Sequence, residues 1–296
     1  MSLEDEVVAS FAEAKNARFR EVTTSLVRHL HAFVADVRLT ELEWAGAIDF
    51  LTRTGQKSDE RRQEFILLSD VLGVSMAVID VNHPTAGNAT ESTVLGPFFV
   101  HGAPEFALGE DISAGAPGTP CFVEGSVTNT DGEPIPGAVL DIWQSDEDGR
   151  YDVQYTDLDG PRGRGRLRAD AEGEYSFWTV RPQAYPIPDD GPVGELLAAG
   201  GRGPMRPAHV HFMVVAPGHR TLVTHVFSSD GAHLDDDAVF GVKRSLIIDF
   251  VRHEPGRAPD GRELAVPFHT ARFDVVLALD GNGNGDGVGS AGWDPE

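Results

Sequence analysis

The chain has 296 residues, 41% hydrophobic and 24% charged, a composition that supports a folded core and excludes wholesale disorder. Twenty-four Lys and Arg stand against forty-seven Asp and Glu, a formal charge of −23 that argues against general binding to nucleic acid or an anionic membrane surface. The lone Cys121 precludes an intramolecular disulfide, and neither a signal peptide nor a stretch of ~20 apolar residues is evident, so a cytoplasmic location is expected.

Phe19, Val22, Leu26, Leu30, Phe33 and Val37 recur at steps of three and four, which predicts one face of a helix. Thr40 and Glu43 form a capping-box pattern for a second helix through Trp44, Ile48 and Leu51, with Gly55 expected to end it. A third helix is expected over 59–78, with Phe65, Leu68, Leu72 and Ser75 along one side. Asn82, Pro84, Gly87 and Asn88 break that pattern. Short β segments follow at 122–127, 138–143, 175–180, 208–215, 221–227 and 273–279, punctuated by turn pairs such as Asp131-Gly132, Asp148-Gly149 and Glu172-Gly173. Helices followed by strands predict an α+β chain: a helical domain over 1–100, a β-sandwich domain over 101–279, and a Gly-rich mobile tail over 280–296. Two long loops, at about 144–170 and 181–207, interrupt the sandwich, and loops of that length are more often functional than accidental. In the tail, Asp280, Asn282, Asn284 and Gly285 fit the opening of a calcium loop. Ala291 stands where the bidentate glutamate should be, so calcium is not expected there.

Chemistry concentrates in Arg206-Pro-Ala-His209-Val-His211-Phe. On a strand, residues two apart share a face, so His209 and His211 project side by side as half of a metal site. Such a pair alone is weak evidence. The segment Phe212–Pro217 offers no carboxylate for an iron(II) triad, and one cysteine cannot build a cysteine-rich zinc site. The chain has four tyrosines. Tyr175 alternates with Phe177 as a packing residue, Tyr155 lies in a polar loop, and Tyr151 and Tyr185 each sit inside a long loop. Taken singly, Tyr185 beside its prolines reads more readily as packing, and Tyr151 is not separable from a bland reading either.

Together these segments resemble the intradiol ring-cleaving dioxygenases over nearly the whole chain. The resemblance rests on Gly96-Pro-Phe98, Pro134–Gln144, Asp148-Gly-Arg-Tyr151, Pro186–Gly194, Arg206–Phe212 and Asp237–Val242. It implies one Fe(III) per subunit, held by Tyr151, Tyr185, His209 and His211, with Tyr185 leaving the metal as substrate arrives. Phenolates are hard anionic donors that suit ferric iron. It further implies that Arg206 stabilises developing negative charge. Leu67, Asp70, Gly96, Pro97, Phe98, Ile187, Pro188, Arg206 and Val239 are implied to line the substrate pocket. The helical domain is expected to serve as a dimerisation and linker domain around an apolar channel that can hold phospholipid.

Asp70 lies between Leu67 and Val74 at helical spacing; in the hydroxyquinol-cleaving branch the matching leucine and acid line the pocket, which implies an acceptor for the third hydroxyl. His225 stands where catechol-type members carry glutamine and is counted with Arg206 and Tyr185 among the catalytic residues; Arg150 replaces the apolar residue expected before Tyr151. Intradiol cleavage of hydroxyquinol by O2 is the function the resemblance implies. A catechol dioxygenase, a β-sandwich binding module and a zinc hydrolase are the alternatives, separable by substrate preference, by colour and by metal analysis.

Overall fold

Helices α1 (Leu3–Ser10), α2 (Ala17–Val37) and α3 (Glu41–Lys57) open the chain, in a computed structural model that describes residues 1–60 and 62–280. The described chain divides into two compact units, at residues 1–56 and from residue 57 onward. In the first unit each helix starts on a side-chain cap. Ser2 and Asp5 form a reciprocal capping box, and Asn16 accepts from the Phe19 N–H at 3.0 Å. The Thr40–Glu43 pair closes the third, with Glu43 Oε2 accepting from Thr40 N at 2.9 Å. Gly55 does not end α3, which runs through it to Lys57.

The helix expected over 59–78 is two, α4 (Glu64–Val71) and α5 (Val74–Asn82). Gly73 separates them at φ +70°, a conformation that only glycine adopts without strain. Leu67 and Val71 of α4 pack with Ile187, Val193, Leu197 and Val239 in a small core of their own. Glu64 is buried at the start of α4, where Arg62 Nε donates to it at 2.7 Å and the Val193 N–H donates at 3.2 Å.

The remaining strands are β1 (Pro120–Asn129), β2 (Val139–Gln144), β3 (Arg164–Arg168), β4 (Glu174–Val180), β5 (Tyr185–Pro186), β6 (Met205–Arg206), β7 (His209–Val215), β8 (Leu222–Ser228), β9 (Ile247–Ile248), β10 (Phe250–His253), β11 (Gly256–Arg257), β12 (Glu263–Leu264), β13 (Phe268–Arg272) and β14 (Val275–Leu277). One sheet runs β3-β2-β7-β8-β9. The other is built on β1, with β4 along one edge, β13 and β14 in succession along the other, and β10 beyond β13. The small pairs β5-β6 and β11-β12 stand apart. At Gly125 a Cβ would fall 1.8 Å from the Phe273 carbonyl, so glycine lets the chain cross between β13 and β14. The two loops expected to be irregular carry structure of their own: β3 lies within 144–170, and β5, β6 and helix α6 (Pro192–Ala199) lie within 181–207.

Alternation on β7 positions the site. Val210, Phe212 and Val214 enter the core between the sheets with Leu140, Ile142, Phe177 and Val226. His209, His211 and Met213 therefore face the other way, where Trp143, Tyr151 and Tyr185 bury them under the loops. The calcium-like pattern lies, beyond Asp280, outside the described residues.

Candidate metal centre

Cross-strand register sets three rings in a row on that face: Trp143 of β2 opposite His211 of β7, and His211 opposite His225 of β8. Trp143 stacks on His211 with centroids 4.6 Å apart. The long loops bring in the phenols. Tyr151 Oη lies 3.4 Å from Tyr185 Oη, 3.3 Å from His209 Nε2 and 3.0 Å from His211 Nε2. The two Nε2 atoms are 3.2 Å apart, and Tyr185 Oη is 3.5 Å from His209 Nε2. Donor atoms about 2 Å from a common centre stand about 3 to 3.5 Å from their neighbours, and these five separations suit one small cation.

Protonation agrees with that reading. The His209 Nδ1–H donates to the Pro207 carbonyl at 2.7 Å, which leaves the Nε2 lone pair facing the other donors. Burial pushes both imidazoles well below their usual range, with Arg206 adding to the effect on His209 and His225 adding to it on His211. Burial likewise raises the Tyr151 phenol well above its usual range; the Tyr185 hydroxyl adds to this, while Arg206 and Arg164 oppose it. A bound cation would reverse that balance.

His225 supplies a third imidazole. Nitrogens of His209, His211 and His225 lie within 4.8 Å of one another, a set that could by itself hold a metal. In the tyrosine-histidine set, five separations are 3.5 Å or less. The His225 ring sits edge-on to His211 at 4.1 Å. Burial, then Arg206 and His209, hold it neutral against the Val94 carbonyl.

Supporting groups surround the donors. Gly96, at φ +77°, brings its backbone against His211, where a Cβ would meet Cε1 at 3.1 Å. Phe98 stacks on Tyr151 at 4.4 Å. Buried Arg164 donates to Asp152, beside Tyr151, through Nε at 2.6 Å and through a second nitrogen, and to the Phe98 carbonyl at 3.0 Å. Buried Arg206 pairs with Asp237 at 3.1 Å and approaches His209 Nε2 at 3.3 Å. Asp237 also accepts from the N–H groups of Val239 and Gly241, at 3.3 and 2.8 Å.

Of the residues expected to meet substrate, Leu67, Ile187 and Val239 share one buried cluster, while Pro97 and Pro188 are exposed. Asp70 is half-buried; desolvation raises its carboxyl, and Ser75 and Arg206 counter. Arg150 is exposed, its guanidinium over the Tyr155 ring. Tyr155 donates to Asp146 at 2.6 Å, and Tyr175 to the Phe273 carbonyl at 2.6 Å. The parts played by Trp143, Asp152, Arg164 and Asp237 were not foreseen. Strand alternation was a usable signal for Trp143. Only the fold pairs Arg164 with Asp152.

Known proteins resemble the chain along almost its full length. The family described as Dioxygenase matches residues 94–279, and that described as Catechol dioxygenase N terminus matches 16–90. The hydroxyquinol 1,2-dioxygenase of Rhodococcus opacus is 57% identical over 279 residues, covering 93% of each chain. The crystal structure of hydroxyquinol 1,2-dioxygenase from Pseudomonas putida DLL-E4 superposes with a TM-score of 0.89 at 48% identity, over 94% of this chain and 98% of that one. Catechol 1,2-dioxygenase from Pseudomonas arvilla C-1 gives 0.81 at 28% identity, over 98% and 94%. With both family segments matched in order and a relative of this identity along almost its full length, the chain belongs to the intradiol ring-cleavage dioxygenases.

Proposed function

We propose that this enzyme cleaves hydroxyquinol (benzene-1,2,4-triol) between its two vicinal hydroxylated carbons, with both atoms of O2 entering 3-hydroxy-cis,cis-muconate, the tautomer of maleylacetate. The convergence of Tyr151, Tyr185, His209 and His211 on one point carries the reading, and these residues would hold one ferric ion per subunit. The chemistry supplied there, when iron is bound, is chelation of the vicinal oxygens and activation of the ring towards O2.

The protein's own groups divide the remaining work. His209, fixed by Pro207, and His211, fixed between Trp143 and Gly96, keep the centre's geometry. The Tyr185 phenolate takes a proton from the arriving triol. Arg206, locked by Asp237, sets a permanent positive charge beside His209, where negative charge develops on the substrate. Asp70 accepts the third hydroxyl, and Leu67, Ile187 and Val239 exclude water around it. His225 borders the centre as a neutral ring.

The 57% relative named for hydroxyquinol, together with the Asp70 position, favours the triol over catechol. The iron-loaded enzyme is expected to be red-brown, to contain one iron per chain, and to turn hydroxyquinol over with higher kcat/KM than catechol, with the muconate identified by mass. Equal or better efficiency on catechol would sink the substrate assignment. A colourless zinc protein would instead favour the three-histidine set. We further infer a homodimer through α2 and α3, with phospholipid chains as a second occupant of their exposed apolar faces.

A further inference from the structure

Outside the metal centre, one side chain joins the two walls that the proposed substrate lies between. Arg202 follows α6, its backbone N–H donating to the Leu197 carbonyl at 2.9 Å. One guanidinium nitrogen donates to the carbonyl of Val71, the last residue of α4, at 2.5 Å; the other donates to the Ala238 carbonyl at 2.9 Å. The carbon between them lies 4.5 Å from the centre of the Phe240 ring. α4 carries Leu67 and Asp70, and the 237–241 turn carries Val239 and the partner of Arg206. Arg202 therefore ties the wall that meets the third hydroxyl to the wall that flanks the arginine, while touching no metal ligand.

The far wall carries an uncommon backbone conformation next to this arrangement. Phe240 sits at φ +58°, a conformation that a bulky residue adopts only when its surroundings impose it. Its ring lies under Arg202 and reaches the point 3.5 Å from where a Cβ on Gly73 would stand, at the break just beyond α4. The Val71 carbonyl, for its part, is an end-of-helix acceptor that needs an outside donor. A guanidinium is suited to this work because its donors diverge in one rigid plane, whereas an ammonium reaches the two carbonyls less well.

We propose that Arg202 is a positioning residue that sets the distance between Asp70 and the Val239 turn, and through it the preference for a triol over a diol. The inference rests on the hydroxyquinol reading above. Its test compares Arg202→Met and Arg202→Lys with Arg262→Met, which removes a similar staple from elsewhere: Arg262 lies over Trp178 at 4.9 Å and donates to the Gly109 carbonyl at 3.2 Å. kcat and KM are measured on hydroxyquinol and catechol in the iron-loaded enzyme, alongside the visible band and the circular dichroism. Arg202→Met is expected to raise KM for hydroxyquinol about tenfold, the size of one lost hydrogen bond, with catechol KM, kcat and the visible band little changed. Arg202→Lys should fall between, and Arg262→Met should keep the wild-type preference. The lysine variant retains the cation and stem, so it serves if the methionine variant does not fold. A preference that survives both Arg202 substitutions, or an equal fall on both substrates, overturns the role given to Arg202. A wild-type enzyme without preference for hydroxyquinol overturns the substrate reading first, and the selectivity assigned to Arg202 with it.

Discussion

Tyr151 is fully buried, with Phe98 stacked on its ring, its N–H donating to Gln154 at 2.8 Å, and its neighbour Asp152 gripped by Arg164. Tyr185 hangs from a two-residue strand paired with Met205 and Arg206, and meets Tyr151 edge to face at 5.5 Å. The Tyr185 ring also meets Phe98 and His209, at 6.3 and 5.5 Å, but its backbone is tied through that short strand pair alone, whereas Tyr151 is held in addition through its own N–H and its neighbour Asp152; the difference suits the proposed permanent and departing ligands. Tyr185→Phe is therefore expected to keep its iron while substrate binding weakens and turnover falls about tenfold or more, because a proton acceptor is lost. Asp152→Ala should behave in the opposite way. It leaves Arg164 as a buried charge without its partner, at a cost of about 3–5 kcal/mol, and it releases the backbone that aims Tyr151. Iron content and thermal midpoints of the two variants give the answer. Complete iron loss from Tyr185→Phe, with full retention in Asp152→Ala, would invert the division between the tyrosines.

At the scale of elements, α2 buries none of its residues in the single chain: Leu26, Leu30, Phe33 and Val37 are each more than half exposed. Trp44, Ile48 and Leu51 of α3 are similarly open. Apolar stripes of this extent mark association surfaces. Light scattering is expected to give twice the monomer mass, and Leu30→Glu with Phe33→Glu to give the monomer with its visible band intact; a monomeric wild type would end the proposal. The same helix shows what sequence can reveal. Its 3.6-residue period is local information, as is the Thr40–Glu43 cap, and the six strands rich in β-branched and aromatic residues were legible to within a few residues. The break at Gly73 was not, because the Phe240 ring that packs on it comes from far along the chain. Nor was β3, an Arg-Gly-Arg-Leu-Arg segment with little apolar signal, which gains its place by pairing with β2 and by the Arg166–Asp141 ion pair. α6 carries a Pro at its start, a helix signal passed over inside a segment read as loop. In the site, alternation nominated the two histidines, whereas the tyrosines were separable from packing residues only through the motifs around them. Loop geometry has no sequence period, so their convergence with His209 and His211 is a property of the fold.

The whole molecule combines a strongly acidic surface with imidazoles buried in neutral form, and the two respond to acid differently. His209, His211 and His225 are each held well below the usual histidine value near 6.5, chiefly by burial. Below that pH the unfolded chain binds protons that the native metal-free protein refuses, so stability falls as pH drops; above it the three groups are neutral in both states and the effect vanishes. The three sites act in the same direction, and the loss sets in as pH falls through the ordinary histidine range. Asp190, held down to about 2 by Arg62 and Lys57, belongs to a lower window: its contribution is present above the ordinary carboxylate value and lost as pH falls from about 4 towards 2. Asp70, raised by desolvation, works in the opposite direction just above the carboxylate range. Approaching the isoelectric point also relieves repulsion among the excess carboxylates and offsets a part of the histidine loss. Urea unfolding of the metal-free protein should thus show a midpoint that falls steeply between pH 7 and 5.5, well before carboxylates titrate. A midpoint flat over that interval would show that the three imidazoles are not held neutral. In the iron-loaded protein the same acid sensitivity is expected to reappear as loss of iron. Protons compete for the phenolates and imidazoles alike, so bleaching of the visible band should accompany unfolding at the acid end.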